Sequence, residues 1–126
     1  MKLISIIICF AIALNAKAQD PSKIIGTWKG TSICQVKNSP CHDEIAIYHV
    51  SQLNRDSFEF QMNKMVGGKE EEMGKTGFAF DKEKQTLISS DTVRDAIWTF
   101  VFKGNKIEGT LYYKRQLYRV INLVKE

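Results

Sequence analysis

The chain has 126 residues, with 18 Lys and Arg against 14 Asp and Glu, a formal net charge of +4, and three cysteines. That length holds one domain with a limited core. The charge balance excludes a nucleic-acid footprint, which needs a clustered basic face.

Lys2 precedes the apolar run Leu3 to Leu14, and Asn15-Ala16-Lys17-Ala18 closes it with small residues in Ala-x-Ala order. A basic start, a short apolar segment and a small-residue cleavage site predict a secretory signal peptide over residues 1–18. The run is too short for a permanent bilayer span, which takes about 20 apolar residues. Lipidation at Cys9 is disfavoured, because bulky Ile8 stands before it and the apolar run continues past it. Cleavage after Ala18 leaves one domain, residues 19–126, in the periplasm or outside the cell. Without Lys2 and Lys17 the basic count is 16 (18 − 2) and the mature charge +2 (16 − 14). In an oxidising compartment, the remaining Cys34 and Cys41 are expected to pair. Such a disulfide closes a short loop and contributes about 2–3 kcal/mol.

The mature chain shows no sustained helical period. It reads as short alternating runs rich in β-branched and aromatic residues, punctuated by turn residues. The first run is Gly26 to about Val36, followed by the turn Lys37-Asn38-Ser39-Pro40 inside the expected disulfide. Glu44 to Val50 has apolar residues on both faces, and Asn54-Arg55-Asp56 turns the chain. In Ser57 to Asn63, Phe58, Phe60 and Met62 share one face and Glu59, Gln61 and Asn63 the other, as a half-buried strand requires. Gly67-Gly68 makes the next turn. Lys69 to Lys75 is polar, and Thr76 to Phe80 resumes the alternation. A short run, Thr86 to Ser89, follows the turn Asp81 to Lys84. Ala96 to Phe102 stacks Trp98, Phe100 and Phe102 on one side. Gly104-Asn105 is a two-residue hairpin signal, after which Ile107, Gly109, Leu111 and Tyr113 share a face. The last run is Leu117 to Val124.

Eight runs joined by short turns predict an all-β, eight-stranded antiparallel up-and-down barrel, whose closure removes exposed edges. A six-to-eight-stranded sandwich is the alternative architecture. An eight-stranded barrel is just wide enough to be filled by side chains or to hold one small ligand.

At Gly26-Thr27-Trp28 the chain resembles the lipocalins and their calycin relatives, and more particularly small secreted bacterial lipocalin-like proteins. These open with a Gly-x-Trp strand and build an eight-stranded barrel. The resemblance implies a structural closure made by Gly26, Trp28 and a basic residue of the last strand packed on the indole. Arg119 is the expected partner, with Arg115 second; a cation over an indole contributes about 0.5–2 kcal/mol. The chain departs from these families in lacking a helix after the barrel. It also lacks the helical lid and the Arg-x-Tyr clamp of fatty-acid-binding proteins.

The inward alternation nominates Phe58, Phe60, Met62, Phe78, Phe80, Trp98, Phe100, Phe102 and Tyr113 as a ligand-binding lining of the barrel. The same large rings could instead fill the interior. Cys41-His42-Asp43-Glu44 with His49 holds metal-ligand residue types, but one cysteine is committed to the disulfide and the spacing builds no tetrahedral site. Lys69-Glu70-Glu71-Glu72 reads as a solvated hairpin. There is no Gly-x-Ser-x-Gly elbow and no cysteine free to act with a histidine, so no catalytic residue, cofactor or enzyme activity is expected. The expected function is an exported protein binding a small hydrophobic ligand in the barrel interior. The alternative is a protein-binding module acting through its loops or through the tail Gln19 to Lys23. It rests on likeness to the small disulfide-bearing barrels that inhibit secreted metalloproteases.

Overall fold

The computed structural model describes residues 19–126; the expected signal peptide lies outside them. A short 3-10 helix (Pro21–Ile24) leads into eight strands: β1 (Gly26–Cys34), β2 (Glu44–Asn54), β3 (Ser57–Val66), β4 (Lys69–Asp81), β5 (Thr86–Asp91), β6 (Ala96–Phe102), β7 (Lys106–Tyr113) and β8 (Gln116–Lys125). Each strand pairs antiparallel with the next, and β8 returns to β1 to close the barrel. The expected architecture is therefore the observed one. β4 is longer than its alternating segment, because the polar stretch Lys69 to Lys75 stays paired with β3. Cross-strand hydrogen bonds hold that stretch, and its side chains on both faces meet solvent. Helix content is one four-residue turn among the described residues, and none of their helices is long and apolar enough to cross a membrane.

The barrel has two unlike ends. Its base carries the N-terminal segment and the turns after β2, β4 and β6. Its mouth carries the turns after β1, β3, β5 and β7. At the base the helix packs Ile24 inside, and Trp28 is fully buried above it. The Trp28 indole donates its N–H to the Ile24 carbonyl at 2.9 Å and meets the Phe102 ring edge-on at 6.1 Å. The cation over Trp28 is Lys125, its Nζ 5.0 Å from the ring centroid and donating to the carbonyls of Lys23 and Ile25. Burial holds the Lys125 ammonium below the ordinary lysine pKa. Gly26 makes room for this arm: its φ of +132° lies in the region that favours glycine, and an added Cβ would sit 2.9 Å from Lys125 Cε.

The expectation that Arg119 covers Trp28 is thereby corrected. The closing register pairs Trp28 with Lys125 and places Arg119 opposite Cys34, near the other end of the barrel. Arg119 points inward there and donates to Ser32 Oγ at 3.2 Å, to the His42 carbonyl at 2.9 Å and to Glu44 Oε1 at 3.3 Å. The Arg119 and Glu44 side chains are only 11% and 15% exposed, so this is a largely buried ion pair whose members need each other. Arg115, the second choice, is 91% exposed beside Asp95. Cys34 and Cys41 form the expected disulfide, with Cα atoms 5.9 Å apart, tying down the first mouth loop.

Candidate ligand-binding site

Stacking the inward residues strand by strand separates a filled interior from an open mouth. The lowest layer is Trp28, Val50, Phe58, Phe102, Ile107 and Leu123, all buried, with Phe80 against it. The next layer holds Tyr48, Phe60, Phe78, Leu87, Phe100 and Ile121, also buried. Its rings are in mutual contact: Phe60–Phe78 at 4.5 Å, Phe78–Phe100 at 4.9 Å and Phe60–Phe100 at 5.5 Å between centroids. Gly109 belongs to this layer because the Phe100 ring occupies its side-chain space; a Cβ there would lie 2.2 Å from Phe100 Cδ1. Gly109→Ala is accordingly expected to cost about 1–3 kcal/mol by overpacking, read from the midpoint of a urea unfolding curve.

Above these rings the barrel opens. A cleft of about 370 Å³ lies at the mouth, lined by Met62 of β3, Met73 to Thr76 of β4, Ser89 and Asp91 of β5, Arg94 of the turn that follows, Ala96 and Trp98 of β6, and Leu111 and Tyr113 of β7. It exists because β4 and β5 separate. Only Ala79, Phe80 and Asp81 pair with β5, so the upper part of β4 leaves its neighbour while staying on β3. An extra residue in β4 where Met62 and Asn63 pair with Gly74 and Glu72, together with Gly74 at φ +153°, bends the strand at that level.

Of the nine residues expected to line a ligand cavity, Met62, Trp98 and Tyr113 border this cleft. Phe58, Phe60, Phe78, Phe80, Phe100 and Phe102 do not. They pack on one another or on Trp28 and are core. The large rings outweigh the width of an eight-stranded barrel in its lower half, so the open volume is confined to the top. The polar and charged side of the cleft, with Ser89, Asp91, Arg94 and Lys75, carries no signal in the alternation that located the rings. Asp91 accepts from the amides of Val93 and Arg94 at 3.1 Å each and lies 3.8 Å from Arg94 Nε. Lys75 has no ion pair among the described residues.

A second polar constellation lies on the outer wall. His49 Nε2 is 2.7 Å from Glu70 Oε1, His49 Nδ1 is 3.0 Å from Thr27 Oγ1, and Asn63 Nδ2 donates to Glu70 at 3.2 Å. An ionised carboxylate only accepts, so Nε2 donates to Glu70 and a neutral ring leaves Nδ1 to accept from Thr27. The order hydroxyl, imidazole, carboxylate is that of an activated nucleophile. The groove beside it is open to solvent, and lacks the water-excluded setting in which such a relay gains catalytic strength. What the relay does is clasp the β3–β4 hairpin to the barrel wall. No three His, Cys, Asp or Glu side chains converge as a metal site among the described residues.

The hydrogen bond from His49, then that from Asn63, holds the Glu70 carboxyl below the ordinary glutamate pKa. A lowered folded-state pKa stabilises the fold above the unfolded carboxylate value, about 4.3. That contribution is lost as pH falls through the folded value. Glu70→Gln is therefore expected to melt below the wild type at neutral pH, with the two melting temperatures converging in acid. A constant difference across the range would show that the carboxylate charge is not what the clasp uses.

No protein-family model matches the chain, and no curated protein matches it in sequence. Two solved structures share its fold. One is a mutant of the fluorescent protein UnaG, at 12% identity with a TM-score of 0.53, covering 83% of this chain and 97% of that one. The other is apo lipid binding protein 8 of Caenorhabditis elegans, at 14% identity with a TM-score of 0.52, covering 87% of this chain and 100% of that one. The likeness is one of fold, the closed eight-stranded antiparallel barrel. The segment Gln19 to Lys23, considered above as a contact tail, is folded onto the base, with the Gln19 amide donating to Gln85 at 3.1 Å and Ile24 packed inside behind it.

Proposed function

We propose that this protein is an exported binding protein that takes up a small hydrophobic ligand at the mouth of its barrel. The observation that carries the reading is the 370 Å³ cleft, with Met62, Trp98 and Leu111 among its walls, at the end opposite the Trp28 plug. Its volume falls at the lower end of the range of about 300–1,000 Å³ for small-molecule sites. The fold shared with a lipid binding protein supports the same reading. Export is supported by the character of residues 1–18 and by the Cys34–Cys41 disulfide.

The two tryptophans make the proposal testable. Trp98 borders the cleft, whereas Trp28 is sealed at the base. Titrating the mature protein with a panel of apolar and amphiphilic compounds should change the emission of Trp98 and raise the melting temperature. The emission change should be lost in Trp98→Phe. If no compound moves either signal up to its solubility limit, the proposal fails.

A further inference from the structure

The proposed site has a floor, and the floor limits what fits. One inward step beneath Met62, Thr76, Ser89, Trp98 and Leu111 stand Phe60, Phe78, Leu87, Phe100 and Gly109, a buried layer. Phe100 is its centre. It stacks on Phe78, lies 6.1 Å from Trp98 and fills the space that a side chain at position 109 would take. A ligand entering between β4 and β5 therefore meets the Phe100 ring after one layer, far short of the base. At the rim, Lys75 stands opposite Gln61 on the outer face of the sheet, and Arg94, 81% exposed, lies 3.8 Å from the carboxylate of Asp91. That carboxylate is already engaged by two backbone amides.

Resting on the proposed binding role, we infer that the cleft takes a short apolar or amphiphilic molecule, with Phe100 setting the length of the apolar part. A long chain does not thread this barrel. It leaves its excess methylenes in water. Any polar head stays at the rim in water, and the apolar end rests on rings. Phe100 is on this account a specificity-determining residue.

The test is a chain-length series measured by calorimetry: straight-chain carboxylates from hexanoate to palmitate, and the primary alcohols of the same lengths. Each methylene that becomes buried should tighten binding about four-fold. In the wild type, Kd should fall along the short members and then level off. In Phe100→Ala the levelling should move to longer chains, with a smaller movement in Phe100→Leu should the alanine variant not fold. Acids and alcohols should level off at the same chain length, because Phe100 meets the apolar end and not the head. Unbroken tightening through palmitate in the wild type overturns the length limit, as does an unmoved break in a folded Phe100 variant. If neither series binds but another apolar compound binds at Trp98, the inference falls and the binding role stands. If nothing binds, both fall.

Discussion

Trp28→Ala is expected to lower the unfolding free energy by about 3–5 kcal/mol, the largest loss of any single side chain in the barrel. Three effects add. The indole is fully buried, so its removal leaves a cavity beneath Phe102. The Ile24 carbonyl loses the donor 2.9 Å away, an uncompensated acceptor that costs about 1–3 kcal/mol where water cannot reach it. Lys125 loses the ring beneath its ammonium while still blocking the gap. Urea unfolding at neutral pH measures the total. Trp28→Phe should recover part of it by refilling volume without restoring the hydrogen bond. Because the cleft lies at the opposite end, ligand affinity in the folded fraction should change little. A Trp28→Ala protein with wild-type stability would mean that the base is closed by something other than this residue.

The second large effect is expected at Gly30, where alanine should cost about 3 kcal/mol or more and loosen the seam that closes the barrel. A Cβ at this position would lie 1.8 Å from the Asn122 carbonyl oxygen, 2.8 Å from its carbon and 2.9 Å from Leu123 Cα. These are all backbone atoms, so no rotamer change relieves the clash, and β1 and β8 must move apart. Overpacking against a side chain typically costs about 1–3 kcal/mol; against a paired backbone it also removes ladder hydrogen bonds. Those bonds join the two ends of the domain, since β1 meets β8 from Trp28–Lys125 to Cys34–Arg119. Hydrogen exchange should show faster exchange along β1 and β8 than along β2–β3. Gly77→Ala is the control. Its Cβ would meet only Leu53 Cδ2 at an ordinary 3.5 Å, so it should be neutral or stabilising by up to about 1 kcal/mol.

Much of this was legible in the chain. Phe58, Phe60 and Met62 alternate with Glu59, Gln61 and Asn63, and that alternation is itself the physical cause of one wet and one dry face. The same holds for Trp98, Phe100 and Phe102 on β6. Two cysteines left after the expected signal peptide, in an oxidising compartment, were enough to expect their bond. Contacts between distant strands were not legible. His49 and Glu70 each read as ordinary surface groups, and only the bend of β4 brings the carboxylate back over the wall of β2. Lys125 and Arg119 are both basic residues of the last strand, six positions apart. Which one meets Trp28 is a matter of closing register, and no local pattern encodes it.

The local pattern of the chain determined strands, turns and the inward set, because side chains alternate at a period of two and Gly, Asn and Pro punctuate the runs. The closing pairing of β1 with β8 chose the barrel over the sandwich. What the tertiary structure alone decided is where the barrel is solid and where it is open. Inward rings at consecutive positions describe a packed core and a lined pocket equally well. The difference arises when Phe100 lies across Gly109 and β4 leaves β5 above Ala79. The base thereby becomes a plug under Trp28, and the mouth becomes the place where something can bind.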